Sequence, residues 1–160
     1  MKVIFLDVDG VLNFESCSER LNGFYFVEDS RIELLKQIVD ATGAKIVLSS
    51  SWRSGWYDQD EGKETIDLDM YKGLIEKLNE HNLKLIDKTG YDLERGDEIQ
   101  TWLNEWTEEP VEAFVIIDDL SGRHFHGIAE HLVQTSWKHG LQEKHVRKAI
   151  EILNTKERKR

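Results

Sequence analysis

The chain has 160 residues, 39% of them hydrophobic and 32% charged, with a formal net charge of −10. That length suits one domain with its own core, expected to span residues 1–160, and the apolar content excludes a disordered chain. The negative charge argues against tight, non-specific binding to nucleic-acid phosphates, and a single cysteine, Cys17, excludes an intramolecular disulfide or a cysteine-held zinc.

In chain order, Lys2–Leu6 is a continuous apolar run with β-branched residues, the pattern of a buried parallel strand. The opening MKVIFLDVDG is too short and too acidic for a signal peptide, and no apolar run approaches the length of a membrane span, so a cytoplasmic location is expected. Residues 13–29 are polar and read as a loop. Ser30-Arg-Ile-Glu33 reads as a capping box that opens a helix running to about Ala41, with Gly43 as its stop. Lys45–Leu48 is a second buried strand. Residues 54–70, polar and mostly acidic from 58 to 69, read as another loop. A helix follows over 71–81 through Leu74, Ile75 and Leu78, ending near Asn82. Leu83–Ile86 is the third strand, and Ile99, Trp102, Leu103 and Trp106 mark the next helix. Phe114–Ile117 is the fourth strand and His131–Gln134 a weak fifth. Val146, Ala149, Ile150 and Leu153 give a C-terminal helix, and the basic run KERKR reads as its solvated end. Alternating strands and helices imply an α/β fold around a parallel sheet with right-handed crossovers. Ligands of such sheets bind beyond the carboxyl ends of the strands, and both polar loops follow a strand end.

Three of these strands end in polar groups: Asp7-Val8-Asp9-Gly10 after the first, Ser49-Ser50-Ser51 after the second and Asp118-Asp119 after the fourth. One such carboxylate can simply cap a turn. Several converging at one sheet edge repel one another unless a cation lies among them. A set of hard oxygen ligands without histidine or cysteine suits Mg²⁺.

FLDVDGVLN resembles the first motif of the haloacid dehalogenase (HAD) superfamily, IVLSS its second and VIIDD its fourth, in the family's order and spacing. VLSSSWR, RGDEIQTWL and the late HLVQTS and GLQ further resemble the small HAD domain of bacterial and phage Swiss-army-knife RNA-repair proteins. The resemblance implies a HAD-like Rossmannoid three-layer sandwich with five parallel strands in the order 3-2-1-4-5. It implies a Mg²⁺-dependent phosphohydrolase, a phosphomonoesterase working through an aspartyl-phosphate. Asp7 would be the nucleophile and Asp9 the general acid and base. Asp7, the backbone carbonyl of Asp9 and Asp118 would hold the metal, with Asp119 an outer ligand. Ser49, or Ser50 one residue on, would bond the phosphoryl group, and Gly10 would turn the chain tightly beside it. The family's third motif is a cation near the start of the helix before the fourth strand. Arg95 stands there, and Lys88 is the earlier alternative. Arg53, just after the serines, is a further candidate to grip phosphate with its planar guanidinium.

Trp102 and Trp106 read as core. Trp52, Trp56 and Tyr57 cluster in a loop beside the serines without helical periodicity, where a base could stack. His124 and His126 have a spacing too common to mark a metal site, and Cys17 reads as an inert thiol. A two-component receiver domain would place its phosphoacceptor on the third strand, at Asp87. It would then need serine or threonine ending the fourth strand and lysine ending the fifth, where this chain has Asp118-Asp119 and QTS. Alternatives within the superfamily are a phosphatase of small phosphometabolites or nucleotides, or a catalytically silent interaction module. Neither the interval from Asn13 to Asp29, 17 residues, nor that from Asp87 to Arg95 has room for a folded cap. An open site for a bulky phosphorylated substrate such as a nucleic-acid end is expected, with no membrane and no obligate protein partner.

Overall fold

The computed structural model describes residues 1–155, and the basic run at 156–160 lies outside them. A five-stranded, all-parallel sheet forms the middle layer. Its strands are β1 (Lys2–Leu6), β4 (Lys45–Leu48), β5 (Leu85–Lys88), β6 (Ala113–Asp118) and β7 (Leu132–Gln134), in the spatial order β5-β4-β1-β6-β7. Numbered among themselves, these strands run 3-2-1-4-5, as the HAD-like reading requires. Two short strands, β2 (Arg20–Leu21) and β3 (Phe24–Tyr25), pair as an antiparallel hairpin inside the 13–29 interval.

Alternation along the strands divides the core in two. Ile4 and Leu6 of β1, Ile46 and Leu48 of β4 and Val115 and Ile117 of β6 face one layer. There they meet Ile32, Leu35 and Ile38 of α1 (Asp29–Thr42), Leu74 and Leu78 of α3 (Ile66–Glu80) and Val146, Ala149 and Leu153 of α5 (Glu143–Asn154). Val3, Phe5, Val47 and Ile116 face the other, against Ile99 and Trp102 of α4 (Arg95–Glu105) and Phe125 and Ile128 of the chain after β6. Strands buried on both faces explain why they read as continuous apolar runs rather than alternating ones.

Several boundaries differ from expectation for identifiable reasons. Helix α1 begins before Ser30, with Glu28 at the cap position and accepting from the Ser30 hydroxyl, so no Ser30–Glu33 box forms. Gly43 does stop it, at φ 72° with its N–H on Val39 O. The segment 54–70 is mostly helical, with only 61–65 outside helix. It holds α2 (Arg53–Asp60) and the start of α3, whose first turn is capped by Thr65 accepting from Leu68 N at 3.0 Å. Trp52 and Trp56 are four residues apart, one helical turn, and Trp56 stacks on Tyr71 of α3 with centroids 5.4 Å apart. The third strand starts two residues late, because Asn82 takes a left-handed conformation and Leu83 N bonds Leu78 O, closing α3 with Leu83 buried under it.

His145, buried in the first turn of α5, accepts at Nδ1 from Gln142 N at 2.9 Å. Burial, with Lys144 and Lys148 nearby, holds its pKa below the usual imidazole value. The folded state therefore resists a proton that the unfolded chain takes up near pH 6.5. Stability from this site is expected to be full above that pH and to fall as the solution is acidified below it. Thermal melts at pH 5.0 and 7.5 should show the gap shrink in His145→Gln, and an unchanged gap would refute it.

Candidate active site

Strand register builds the site. Leu6 lies opposite Leu48 on one side and Ile117 on the other, so the residues that follow each of them emerge side by side at the carboxyl edge of the sheet. Asp7 N bonds Ile117 O at 3.0 Å and Ser49 N bonds Leu6 O at 2.8 Å, extending the ladder into the site. Carboxylate oxygens of Asp7, Asp118 and Asp119 all lie within 4.8 Å of one another. Asp7 and Asp118 are buried and Asp119 half-buried. Burial, then the charge of Asp118, pushes the Asp7 carboxyl well above its usual range, against the pull of Arg95. Burial, then Asp118, raises Asp119 as well. Carboxylate oxygens clustered in this way fit a hard divalent cation such as Mg²⁺, which would relieve their mutual repulsion.

Arg95, the first residue of α4, donates from one guanidinium nitrogen to Asp118 Oδ2 and to Ser49 O, at 2.9 and 2.8 Å, and lies 3.6 Å from Asp7 Oδ1. Burial by itself would lower its pKa, but Asp7, Asp118 and Glu98 more than reverse this, so its charge is secure. Gly96 permits that placement. A Cβ there would lie 2.8 Å from Phe125 Cα, so only glycine lets the start of α4 sit against the chain after β6. Lys88 instead pairs with Asp60 at 3.0 Å, its ammonium over Trp56 and Tyr57.

Arg53 departs from its expected place on the phosphate. It is 3% exposed, donates to Glu98 Oε2 at 2.7 Å and to Ser50 O at 3.2 Å, and lies over the Tyr91 ring. A helix rather than a loop follows the serines, and it turns this side chain inward. Glu98 also faces Arg95 Nε at 3.4 Å, so one buried carboxylate joins the two arginines. The Ser49 hydroxyl is buried without a hydrogen-bond partner, and that of Ser50 accepts from Trp52 N.

Asp9 is exposed and held from two sides. Asn13 Nδ2 donates to Oδ1 at 2.8 Å and Trp52 Nε1 donates to Oδ2 at 3.1 Å. Asn13 Oδ1 in turn accepts from Gly10 N at 2.9 Å. Neither Asn13 nor Trp52 is recognisable from sequence in this role. Asn13 sits in the first motif region and its type allows an Asx turn, whereas the bond from Trp52 spans 43 residues. Gly10 has φ 79°, and a Cβ on it would overlap the Asp119 carboxylate. The late HLVQTS and GLQ segments brace this turn: Thr135 Oγ1 donates to Gly10 O at 2.6 Å and Leu141 N to Val11 O at 2.8 Å.

The remaining singled-out residues have local partners. His124 Nδ1 meets Glu94 Oε2 at 3.0 Å, and neither His124 nor His126 belongs to the acidic cluster. Asp87 accepts from the Trp102 indole at 2.8 Å, and Trp102 stacks on Trp106. Cys17 is buried. No described helix is long and apolar enough to cross a membrane.

A parallel sheet in this order, with aspartates after its central strand and the adjacent β6, defines a HAD-like α/β domain. Residues 3–146 match the family model described as the HAD domain in Swiss Army Knife RNA repair proteins, and the chain belongs to that family of HAD-superfamily hydrolases. A search of curated proteins found no match.

Proposed function

We propose that the protein is a Mg²⁺-dependent phosphomonoesterase that works through an aspartyl-phosphate on Asp7. The observation that carries this reading is the cluster of Asp7, Asp118 and Asp119 with Arg95 beside it. An Asp7 oxygen attacks phosphorus as the bond from phosphorus to the leaving oxygen breaks. Asp9 gives its proton to that oxygen, then takes a proton from the water that attacks the acyl-phosphate and frees Asp7. Arg95 balances charge on the transferred group and orients Asp7 and Asp118. Asp7, Asp118, Asp119 and the carbonyl of Asp9 would hold Mg²⁺, whose charge offsets the repulsion between nucleophile and phosphate. Turnover of simple phosphomonoesters by the purified chain, lost on chelation and restored by Mg²⁺, is the expected result. Bound Mg²⁺ with no turnover on any ester would favour a silent interaction module.

The substrate we favour is a nucleic-acid end. The 13–29 interval folds only into the β2–β3 hairpin, which supports a site open to a bulky group. Family membership supports RNA ends over small metabolites.

Two predictions concern individual residues. Asp118→Ala should weaken Mg²⁺ dependence more than Asp119→Ala, since Asp118 is fully buried next to Asp7 while Asp119 is half-exposed. Activity titrated against Mg²⁺ in both variants decides it, and an equal or reversed effect means the ligand roles are exchanged. Trp52→Phe keeps an aromatic ring but removes the donor to Asp9. We expect kcat to fall about tenfold with KM little changed, since a misoriented acid loses part of the roughly 10²–10⁴-fold that such groups supply. A purely structural role for Trp52 would instead lower the melting temperature and leave kcat intact.

A further inference from the structure

A cleft of about 640 Å³ opens beside Asp9, and neither Asp7 nor Asp118 lines it. Under the phosphatase reading, on which this inference rests, Asp9 faces the leaving oxygen. An occupant of the cleft is therefore part of the leaving group.

The walls are aromatic and come from separate segments: Phe24 of the hairpin, Trp52 before α2, Tyr91 of the loop after β5 and Trp137 of the loop after β7. Phe24 is 55% exposed, Tyr91 63% and Trp137 37%. Large rings left in water around one concavity mark a binding surface rather than a core. The charges of the lining are Asp9 and Asp67, and no described lining residue is Lys or Arg. The guanidinium of Arg53 lies 4.1 Å from the Tyr91 ring centre, but that side chain is buried and does not line the cleft. The cleft thus repels a phosphate chain and suits a flat, uncharged ring that offers N–H donors. Ser54 Oγ donates to Asp67 at 2.5 Å, fixing a carboxylate on the cleft wall as an acceptor for such donors.

We propose that this cleft holds the base of the nucleotide that bears the phosphate, stacked among Phe24, Trp52, Tyr91 and Trp137, with an amino-bearing base favoured through Asp67. A phosphotyrosyl ring is also flat, but it has no ring donor for Asp67. Because no cation lines the cleft, recognition stops at the terminal nucleotide. The next phosphates lie outside it.

The test compares the full chain with Phe24→Ala and Trp137→Ala on a trinucleotide phosphorylated at its 3′ or 5′ end and on glycerol phosphate. Loss of one stacked base should raise KM for the trinucleotide about tenfold, with kcat and glycerol phosphate turnover unchanged. Phe24 carries little of the fold, so its variant keeps the test valid if Trp137→Ala fails to fold. Adenosine-ended trinucleotides should be preferred over uridine-ended ones, and Asp67→Ala, which removes the acceptor, should erase that preference. In Asp7→Asn protein the trinucleotide should quench tryptophan fluorescence and glycerol phosphate should not. That readout needs no turnover, so it separates failure of the cleft from failure of the phosphatase reading. Equal effects of the alanine variants on both substrates, no effect on either, no quenching, or tighter binding of a phosphotyrosine peptide would each overturn the proposal.

Discussion

Replacing Asp7 with asparagine is expected to lower phosphatase turnover by a factor on the order of 10⁴ or more, while making the metal-free protein more stable. The first half follows from chemistry, since the amide is nearly isosteric but a far weaker nucleophile. The second half follows from the site. Burial and the neighbouring charge of Asp118 both act against an ionised Asp7, more strongly than Arg95 acts for it. Holding a carboxylate there is therefore unfavourable in the metal-free folded protein, and asparagine removes that penalty. Added Mg²⁺ should stabilise the wild type more than the variant, because the variant has lost one charged oxygen from the cluster. Activity assays with melts in chelator and in Mg²⁺ check both halves. Full turnover in Asp7→Asn would rule out the covalent route, and a lower metal-free melting temperature would show that Arg95 outweighs Asp118.

Glu98→Ala is expected to be the most destabilising substitution near the site, although Glu98 is not assigned to the chemistry. The Arg53 and Glu98 side chains are 4% and 6% exposed, and their 2.7 Å contact lies in the interior. Removing one partner leaves the other a buried, uncompensated charge, which costs roughly 3–5 kcal/mol. For a chain of this size that corresponds to a fall in melting temperature of about 10 °C. Activity should drop too, because Arg95 loses the carboxylate that holds its Nε side and is free to turn fully onto Asp118. Glu98→Gln keeps the shape and a hydrogen-bond acceptor, and should recover part of the stability. Thermal melts and steady-state kinetics on both variants test this. A fall of less than about 1 kcal/mol in Glu98→Ala would mean that water replaces the carboxylate.

The strands around the centre of the sheet were legible because each is buried on both faces, so burial is written into the sequence as an unbroken apolar run. Ending such a run in Asp7, Ser49 or Asp118 is costly without a function, which made the polar ends conspicuous. Helices α2 and the start of α3 were not legible. Their stretch is acidic and polar, and its apolar signal is sparse, as in Trp56, Leu68, Met70 and Tyr71, with Trp56 meeting Tyr71 across the two helices rather than along one.

Local sequence thus determined the order of the five sheet strands and of α1, α4 and α5 among them, and the identity of the acidic residues, since both depend on residues adjacent in the chain. Tertiary structure decided which cations meet them. Arg53 and Arg95 are both charged residues near strand-end motifs, and the helix trajectories alone send one inward to Glu98 and the other to Asp7 and Asp118. It also decided that Trp52 donates to Asp9 and that rings from four separate segments face one cleft. A hydrogen bond across 43 residues or a shared surface leaves no periodic trace in the sequence, because its partners are brought together only by packing.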